Sequence, residues 1–225
     1  MVQVVMLILP ETELLDLAGP AQVFDAANGF GAAYALSFVG TAPRVRSAQG
    51  LELLVPAALP PITGDDLVLV PGVRRSSPPV GADPHVLAWL RDAADARARI
   101  AAVCAGAFTL GEAGLLDGRR CTTHWSLVEA LAARFPRAIV EDAALFVQDS
   151  GVTTSAGIAS GIDMALWLVE QDRGPLMAAR VARELVVYLR RDGSHGQSSI
   201  YLEYRTHLQP RVHHAQDWLV EHFAT

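Results

Sequence analysis

The sequence predicts an α/β protein, a three-layer α/β/α sandwich with a mainly parallel central sheet. Apolar, strand-like runs alternate along the chain with helical patterns, and such alternation is typical of right-handed βαβ crossovers. The second observation is composition: 51% of the 225 residues are hydrophobic and the mean hydropathy is +0.27. A sheet whose strands are covered on both faces explains that excess, because such strands are apolar throughout.

The individual elements follow from local patterns. Strands are predicted at 2–9, 34–40, 51–57, 65–72 and 100–104, then at 119–125 and as a strand–turn–strand unit across 138–154. Helices are predicted at 21–30, 85–96, after Cys104, at 126–135 and across 157–188 with a break at Gly174-Pro175. Pro20 suits the first position of the first helix, and Pro56 restricts 51–57 to a sheet edge.

Composition also excludes several classes of protein. No apolar stretch reaches the ~18 residues of a membrane span, and the N-terminal run lacks the basic start of a signal peptide. Two cysteines, Cys104 and Cys121, are too few for a disulfide framework, which predicts a reducing cytoplasm. A net charge of −6 argues against a broad nucleic-acid surface on this chain. No metal-ligand spacing and no GxGxxG or Walker loop occurs, so neither a metal nor a nucleotide cofactor is predicted.

Several chemically distinctive residues follow predicted strands. Asp16, Gly72, Cys104, His124 and the segment Ser155–Gly157 each lie at the carboxyl end of one. Ligand crevices of open α/β sheets lie beyond those ends. The pattern therefore predicts one shared pocket at that edge of the sheet.

Cys104 ends an apolar run and is followed at once by small residues and a helical pattern. Strand, tight turn and helix form a nucleophile elbow, which holds a side chain up from the sheet, and a following helix favours a thiolate. The alternative is a buried cysteine that acts as a small hydrophobe. The position and the small neighbours favour the elbow.

Asp16 and His124 each have a structural alternative. Asp16 serves either the pocket or a turn before Pro20, and His124 is either a pocket residue or a capping residue. If Asp16 faces Cys104, two full charges ~4 Å apart would repel by about 4 kcal/mol at an effective dielectric of ~20. A helix N-terminus returns at most ~2 kcal/mol, so we expect such a pair to share a proton and titrate as a unit.

Three segments, LLDLAGPAQVF, VCAGAFTLGEAGLLDGRRCTTHW and TTSAGIASGIDMALWLVE, together resemble the PfpI/ThiJ superfamily, which has the class I glutamine amidotransferase-like, flavodoxin-like fold. More narrowly they resemble the sensor half of AraC-type transcriptional regulators. The resemblance implies that Cys104 and Asp16 are the functional pair. It also implies that the backbone N–H groups of Gly72 and Ala105 form an oxyanion-hole-like nest. His124, Ser155 and Gly157 then complete a ligand-binding site.

The same resemblance divides the chain into three parts. Residues 1–190 would be the PfpI/ThiJ-like domain, 191–209 a linker, and 210–225 the start of the first helix of an AraC-type DNA-binding domain. DNA would then be bound only through a domain absent from this chain, and a homodimer is expected. The tail predicts an apolar stripe of Ala215, Trp218, Leu219, His222 and Phe223, which we expect to pack on the domain or on a partner copy.

The departures from the family bear on function. Peptidase-like members carry a histidine after the cysteine, and isonitrile hydratases usually carry a threonine there, whereas this chain has Ala105. Two functions therefore compete. One is a ligand-sensing domain with a small-molecule pocket around Cys104. The other is a cysteine-dependent hydratase or hydrolase in which Cys104 and Asp16 are catalytic. The tail and Ala105 favour the sensor.

Overall fold

The computed structural model describes residues 1–74, 81–188, 190–197 and 210–222. Its strands are β1 (Val2–Leu7), β2 (Tyr34–Val39), β3 (Arg44–Arg46), β4 (Glu52–Leu54), β5 (Leu67–Val70), β6 (Arg99–Val103), β7 (Arg120–Cys121), β8 (Ile139–Val140), β9 (Phe146–Asp149) and β10 (Val152–Ser155). Its helices are α1 (Leu14–Gly29), α2 (Pro84–Asp95), α3 (Gly106–Glu112), α4 (Val128–Arg134), α5 (Ser160–Arg173), α6 (Pro175–Glu184) and α7 (Pro210–His222).

The central sheet has six strands in the order β2-β1-β5-β6-β10-β9. The first five are parallel, as in the pairing of β1 with β2 from Val2–Tyr34 to Leu7–Val39. The edge strand β9 pairs antiparallel with β10. The predicted, mainly parallel sheet is confirmed.

Helices cover both faces of this sheet. Val4 and Met6 pack in the core cluster that also holds residues of α1, α5 and α6. Val5 and Leu7, which alternate with them along β1, pack in the cluster that includes α2 and α3. Full burial of one such side chain is worth about 1.5–3 kcal/mol. The three-layer arrangement therefore accounts for the apolar runs in the sequence.

Helix α1 starts earlier than its pattern predicted. It begins at Leu14, so Pro20 lies inside the helix and not at its first position. The predicted start at residue 21 is wrong because no side chain marks the true one: Glu13 precedes the helix without a side-chain cap. The start is held instead by the Glu13 N–H, which donates to Gly72 O at 2.8 Å.

Two predicted strands lie outside the central sheet. β4 pairs with β3, and β7 pairs with β8, each in a separate two-stranded sheet. The strand–turn–strand prediction across 138–154 is confirmed for β9 and β10. Ser150 and Gly151, with φ of 49° and 82°, match the paired positive φ values of a type I′ hairpin turn.

The tail is described in two pieces. Residues 190–197 pack on the domain, while the rest of the predicted linker, 198–209, and residues 223–225, including Phe223, lie outside the described residues. The predicted helix after Pro210 is present as α7, in which the residues Trp218 and Leu219 are 59% and 55% exposed. The domain leaves both residues exposed, and packing on a partner copy, the other expected arrangement, stays a prediction. The domain boundaries themselves remain predictions.

Across the described ranges, no helix combines the length and the apolar character that crossing a membrane requires.

Candidate functional site

Asp16 lies in the first turn of α1 and is completely buried. Its Oδ2 accepts a hydrogen bond of 3.1 Å from the Gly72 N–H, and Gly72 O in turn accepts from Glu13 N–H. The start of α1 and the loop after β5 are therefore tied in both directions. This tie fixes the carboxylate at the carboxyl end of the sheet, and both an N–H donor and a helix N-terminus stabilise its charge.

Cys104 directly follows β6 and has φ of +54°. Left-handed backbone is unfavourable for a residue with a Cβ and is concentrated at functional sites. Hydrogen bonds hold it there: the Cys104 N–H donates to Ser155 O at 2.9 Å, and Cys104 O accepts from the Thr123 hydroxyl at 2.8 Å. Helix α3 begins at Gly106, two residues later. Together these features form the strand–turn–helix geometry of a nucleophile elbow.

Glycines surround this elbow because nothing larger fits. A Cβ added at Gly157 would lie 2.2 Å from Cys104 Cβ, and one at Gly106 would lie 2.3 Å from Val70 O. A Cβ at Gly72 would lie 2.3 Å from Asp16 Oδ2 and 3.0 Å from Cys104 Cβ. Gly72 therefore lies against both the Asp16 carboxylate and Cys104, and there is no room for a side chain at this position.

The structure thus brings Asp16, Gly72, Cys104 and Gly157 together, with Ala105 and Ser155 beside them. A Cβ at Gly72 would lie 3.1 Å from Ala105 N, and Ala105 and Ser155 are both buried. The expected oxyanion nest is not open, because the Gly72 N–H already donates to Asp16.

His124 directly follows Thr123 in the sequence. It caps the 3-10 turn at Trp125–Leu127, and its Nδ1 is 2.8 Å from Ser126 Oγ and accepts from Ser126 N–H at 3.2 Å. Its ring is 5.3 Å from that of the exposed Trp125. These contacts match the structural alternative, in which His124 is a capping residue.

The two cysteines differ in their surroundings although both are buried. Burial, with a smaller contribution from Glu141, raises the pKa of the Cys121 thiol to about 11. Cys121 is therefore a neutral thiol near pH 7 and a poor nucleophile. Cys104 is also closed to solvent, so a reagent reaches it only when its surroundings move. Chemically, the site holds a buried thiol and a buried carboxyl group, both of which lie close to Gly72.

Sequence reasoning missed Thr123. Its hydroxyl donates to the Cys104 carbonyl, and it is completely buried. The available signal was a pair of threonines immediately before His124, because a buried hydroxyl requires a hydrogen-bond partner.

The DJ-1/PfpI family matches residues 2–171, and the chain belongs to that family. A Streptomyces lividans protein, named only as an uncharacterized protein in the cpoL 5′ region, is 47% identical over 138 residues, covering 60% of this chain and 95% of that protein. The HTH-type transcriptional regulator CdhR of Pseudomonas aeruginosa is 34% identical over 143 residues, 64% of this chain and 42% of the regulator. An isonitrile hydratase of Pseudomonas putida is 32% identical over 169 residues, 75% of this chain and 71% of the enzyme.

Solved structures with the same fold include a regulator and a family member of unstated activity. An AraC family transcriptional regulator from Pseudomonas putida superposes with a TM-score of 0.74 at 25% identity, covering 82% of this chain and all of that one. A ThiJ/PfpI family protein from Pseudomonas syringae superposes with a TM-score of 0.73 at 27% identity, covering 97% of this chain and 86% of that one. The relatives therefore include both regulators and enzymes, and the chain spans less than half the length of CdhR.

Proposed function

We propose that the chain is the ligand-sensing domain of an AraC-family transcriptional regulator, with a small-molecule pocket around Asp16 and Cys104. The observation that carries the proposal is helix α7, which follows the family domain and exposes Val212, Trp218 and Leu219. An enzyme confined to the α/β domain has no use for such a helix. In a regulator, the DNA-binding domain or a second copy covers it.

The residue after the cysteine supports the same proposal. Ala105 is buried and has no side chain that could accept a proton, so peptidase chemistry that needs a base at this position is not expected. The Gly72 N–H, which would otherwise stabilise an oxyanion, is bound to Asp16. The missing base at Ala105 and the occupied Gly72 N–H both favour ligand binding over catalytic turnover.

DNA would be reached through a helix-turn-helix domain outside these 225 residues, in a cytoplasmic homodimer. With a net charge of −6, we expect no DNA binding by this chain alone at physiological salt.

A thermal-shift screen of small metabolites tests the proposal. A ligand at 100 times its Kd stabilises the native state by about 2.7 kcal/mol, which raises the Tm of a domain of this size by roughly 5–11 °C. Asp16→Asn, which keeps the shape but removes the charge, should abolish or strongly reduce the shift. A ligand that stabilises wild type and Asp16→Asn equally binds elsewhere and contradicts this pocket.

The alternative is a cysteine-dependent enzyme, favoured by the similarity to isonitrile hydratase. That reaction adds water to an isonitrile, R–N≡C, and yields the formamide R–NH–CHO. Incubation with an aliphatic isonitrile, followed by detection of the formamide, separates the two functions. Formamide produced by wild type and lost in Cys104→Ser would overturn the sensor proposal, whereas no product from either is the expected result.

A further inference from the structure

The segment that follows α6 returns to the sheet and is anchored there. Arg191 donates to the buried Asp163 carboxylate from its backbone N–H at 3.1 Å and from its guanidinium at 2.6 Å. Gly193 O accepts from Leu145 N–H at 3.0 Å, and a Cβ at Gly193 would lie 2.5 Å from Phe146 O. Residues 190–197 therefore fit closely beside the start of β9.

The last described residue of this segment, Gln197, inserts its amide among oxygen atoms. Its Nε2 lies 3.0 Å from Thr123 O, 3.2 Å from Thr122 Oγ1, and 3.2 Å and 3.3 Å from the carbonyl oxygens of Ala144 and Asp142. An amide NH₂ has only two hydrogens to donate, so these four oxygen atoms are more acceptors than the amide can satisfy at once. Such a site selects an amide nitrogen and rejects a carboxylate, whose oxygens would face other oxygens.

Thr123 joins this site to the elbow. Its carbonyl accepts from Gln197, and its hydroxyl donates to Cys104 O at 2.8 Å. One buried residue therefore contacts both the segment that leaves the domain and the cysteine whose backbone is left-handed. A shift of the Cys104 carbonyl that keeps this hydrogen bond must move Thr123, and that movement reaches Gln197.

We propose that Gln197 is a latch that couples the state of Cys104 to the segment leading out of the domain, with Thr123 as the connecting residue. Occupation or modification at Cys104 loosens the latch, and loosening the latch opens access to Cys104, because coupling between two sites is reciprocal. The biological use of the latch rests on the sensor function proposed above, but the coupling itself does not.

Thiol labelling tests whether a substitution at Gln197 changes the access of a reagent to Cys104. Methyl methanethiosulfonate reacts with a cysteine thiolate, which takes the CH₃S group as methanesulfinate leaves, and Cys121 in the same molecule is an internal reference. Gln197→Ala should raise the ratio of Cys104 to Cys121 labelling at least about fivefold, the lower end of typical coupling. Gln148→Ala, at an exposed glutamine of β9, is the matched control and should leave the ratio unchanged.

The connecting residue is tested by Thr123→Val, which removes the hydroxyl bond to Cys104 and keeps the carbonyl that accepts from Gln197. In this background, Gln197→Ala should no longer change the labelling ratio. A Gln197→Ala ratio within twofold of wild type, or an undiminished effect in Thr123→Val, would overturn the proposal.

Hydrogen exchange in the wild-type protein tests the coupling even if a variant does not fold. In wild-type protein labelled at Cys104, hydrogen exchange of the Leu145 and Arg191 amides should be faster than in unlabelled protein. Unchanged exchange refutes the latch. A chain that hydrates isonitriles yet shows the coupling would refute only the sensor function, and a chain that binds a metabolite without the coupling would refute only the latch.

Discussion

Gly157 provides the sharpest test of how the site is packed. It has φ of +89°, and an added Cβ would lie 2.2 Å from Cys104 Cβ, 2.7 Å from its Cα and 2.9 Å from its Sγ. Gly157→Ala therefore combines two costs. Left-handed backbone costs a residue with a Cβ about 1–2 kcal/mol, and overpacking a core costs about 1–3 kcal/mol. We expect a total loss of about 2–5 kcal/mol.

Gly151→Ala is the matched control, because Gly151 has nearly the same φ, +82°, and no atom within 4 Å of an added Cβ. It carries the backbone cost alone. Thermal unfolding followed by tryptophan fluorescence should therefore place the Tm of Gly157→Ala below that of Gly151→Ala by about 2–12 °C, at roughly 2–4 °C per kcal/mol for a domain of this size. Equal Tm values for the two variants would refute the close contact between Gly157 and Cys104.

Three further predictions concern the cysteines and the tail. In the folded protein at pH 8, iodoacetamide should modify Cys104 faster than Cys121, whose pKa burial raises to about 11; equal rates by peptide mass spectrometry would contradict the elbow. Between pH 9 and 11 the folded state retains the Cys121 proton that the unfolded chain loses. The free energy of unfolding should therefore fall as pH rises through this window, and urea titrations should show a shallower fall in Cys121→Ala. Replacing both Trp218 and Leu219, which are exposed, by serine should convert the expected homodimer to monomer or weaken it in sedimentation equilibrium; an unchanged dimer would exclude α7 from the interface.

The fold could be predicted because the inner strands β1, β5 and β6 consist mostly of apolar residues. β5 is buried along its whole length, as a parallel strand covered on both faces must be. The start of α1 could not be predicted, because it is held by a backbone hydrogen bond from Glu13 to Gly72, 59 positions later. Pro20, which lies inside the helix, suggested a different start. Local patterns carry no information about such long-range contacts.

The candidate site could also be predicted only in part. Asp16, Gly72, Cys104 and Gly157 were predicted from their positions after apolar runs, and topology brings those positions together. Thr123 and Gln197 were missed, since their roles arise from a hydrogen-bonded chain between segments 74 residues apart. Residues 191–209 are predicted as a linker, yet Arg191 and Gly193 each have a specific partner on the domain.

The three glycines around Cys104 also define which changes evolution or an engineer is free to make. Gly72, Gly106 and Gly157 each face a neighbour within 2.3 Å of where a methyl group would stand, so none accepts a side chain without displacing backbone or the paired acid. Leu15 and Trp125, by contrast, are exposed beside the two segments that supply Asp16 and Thr123. Under the proposed ligand-sensing function, we therefore expect substitutions at the exposed Leu15 and Trp125 to alter the response to a ligand without disturbing the packing, and substitutions at the three glycines to disrupt it.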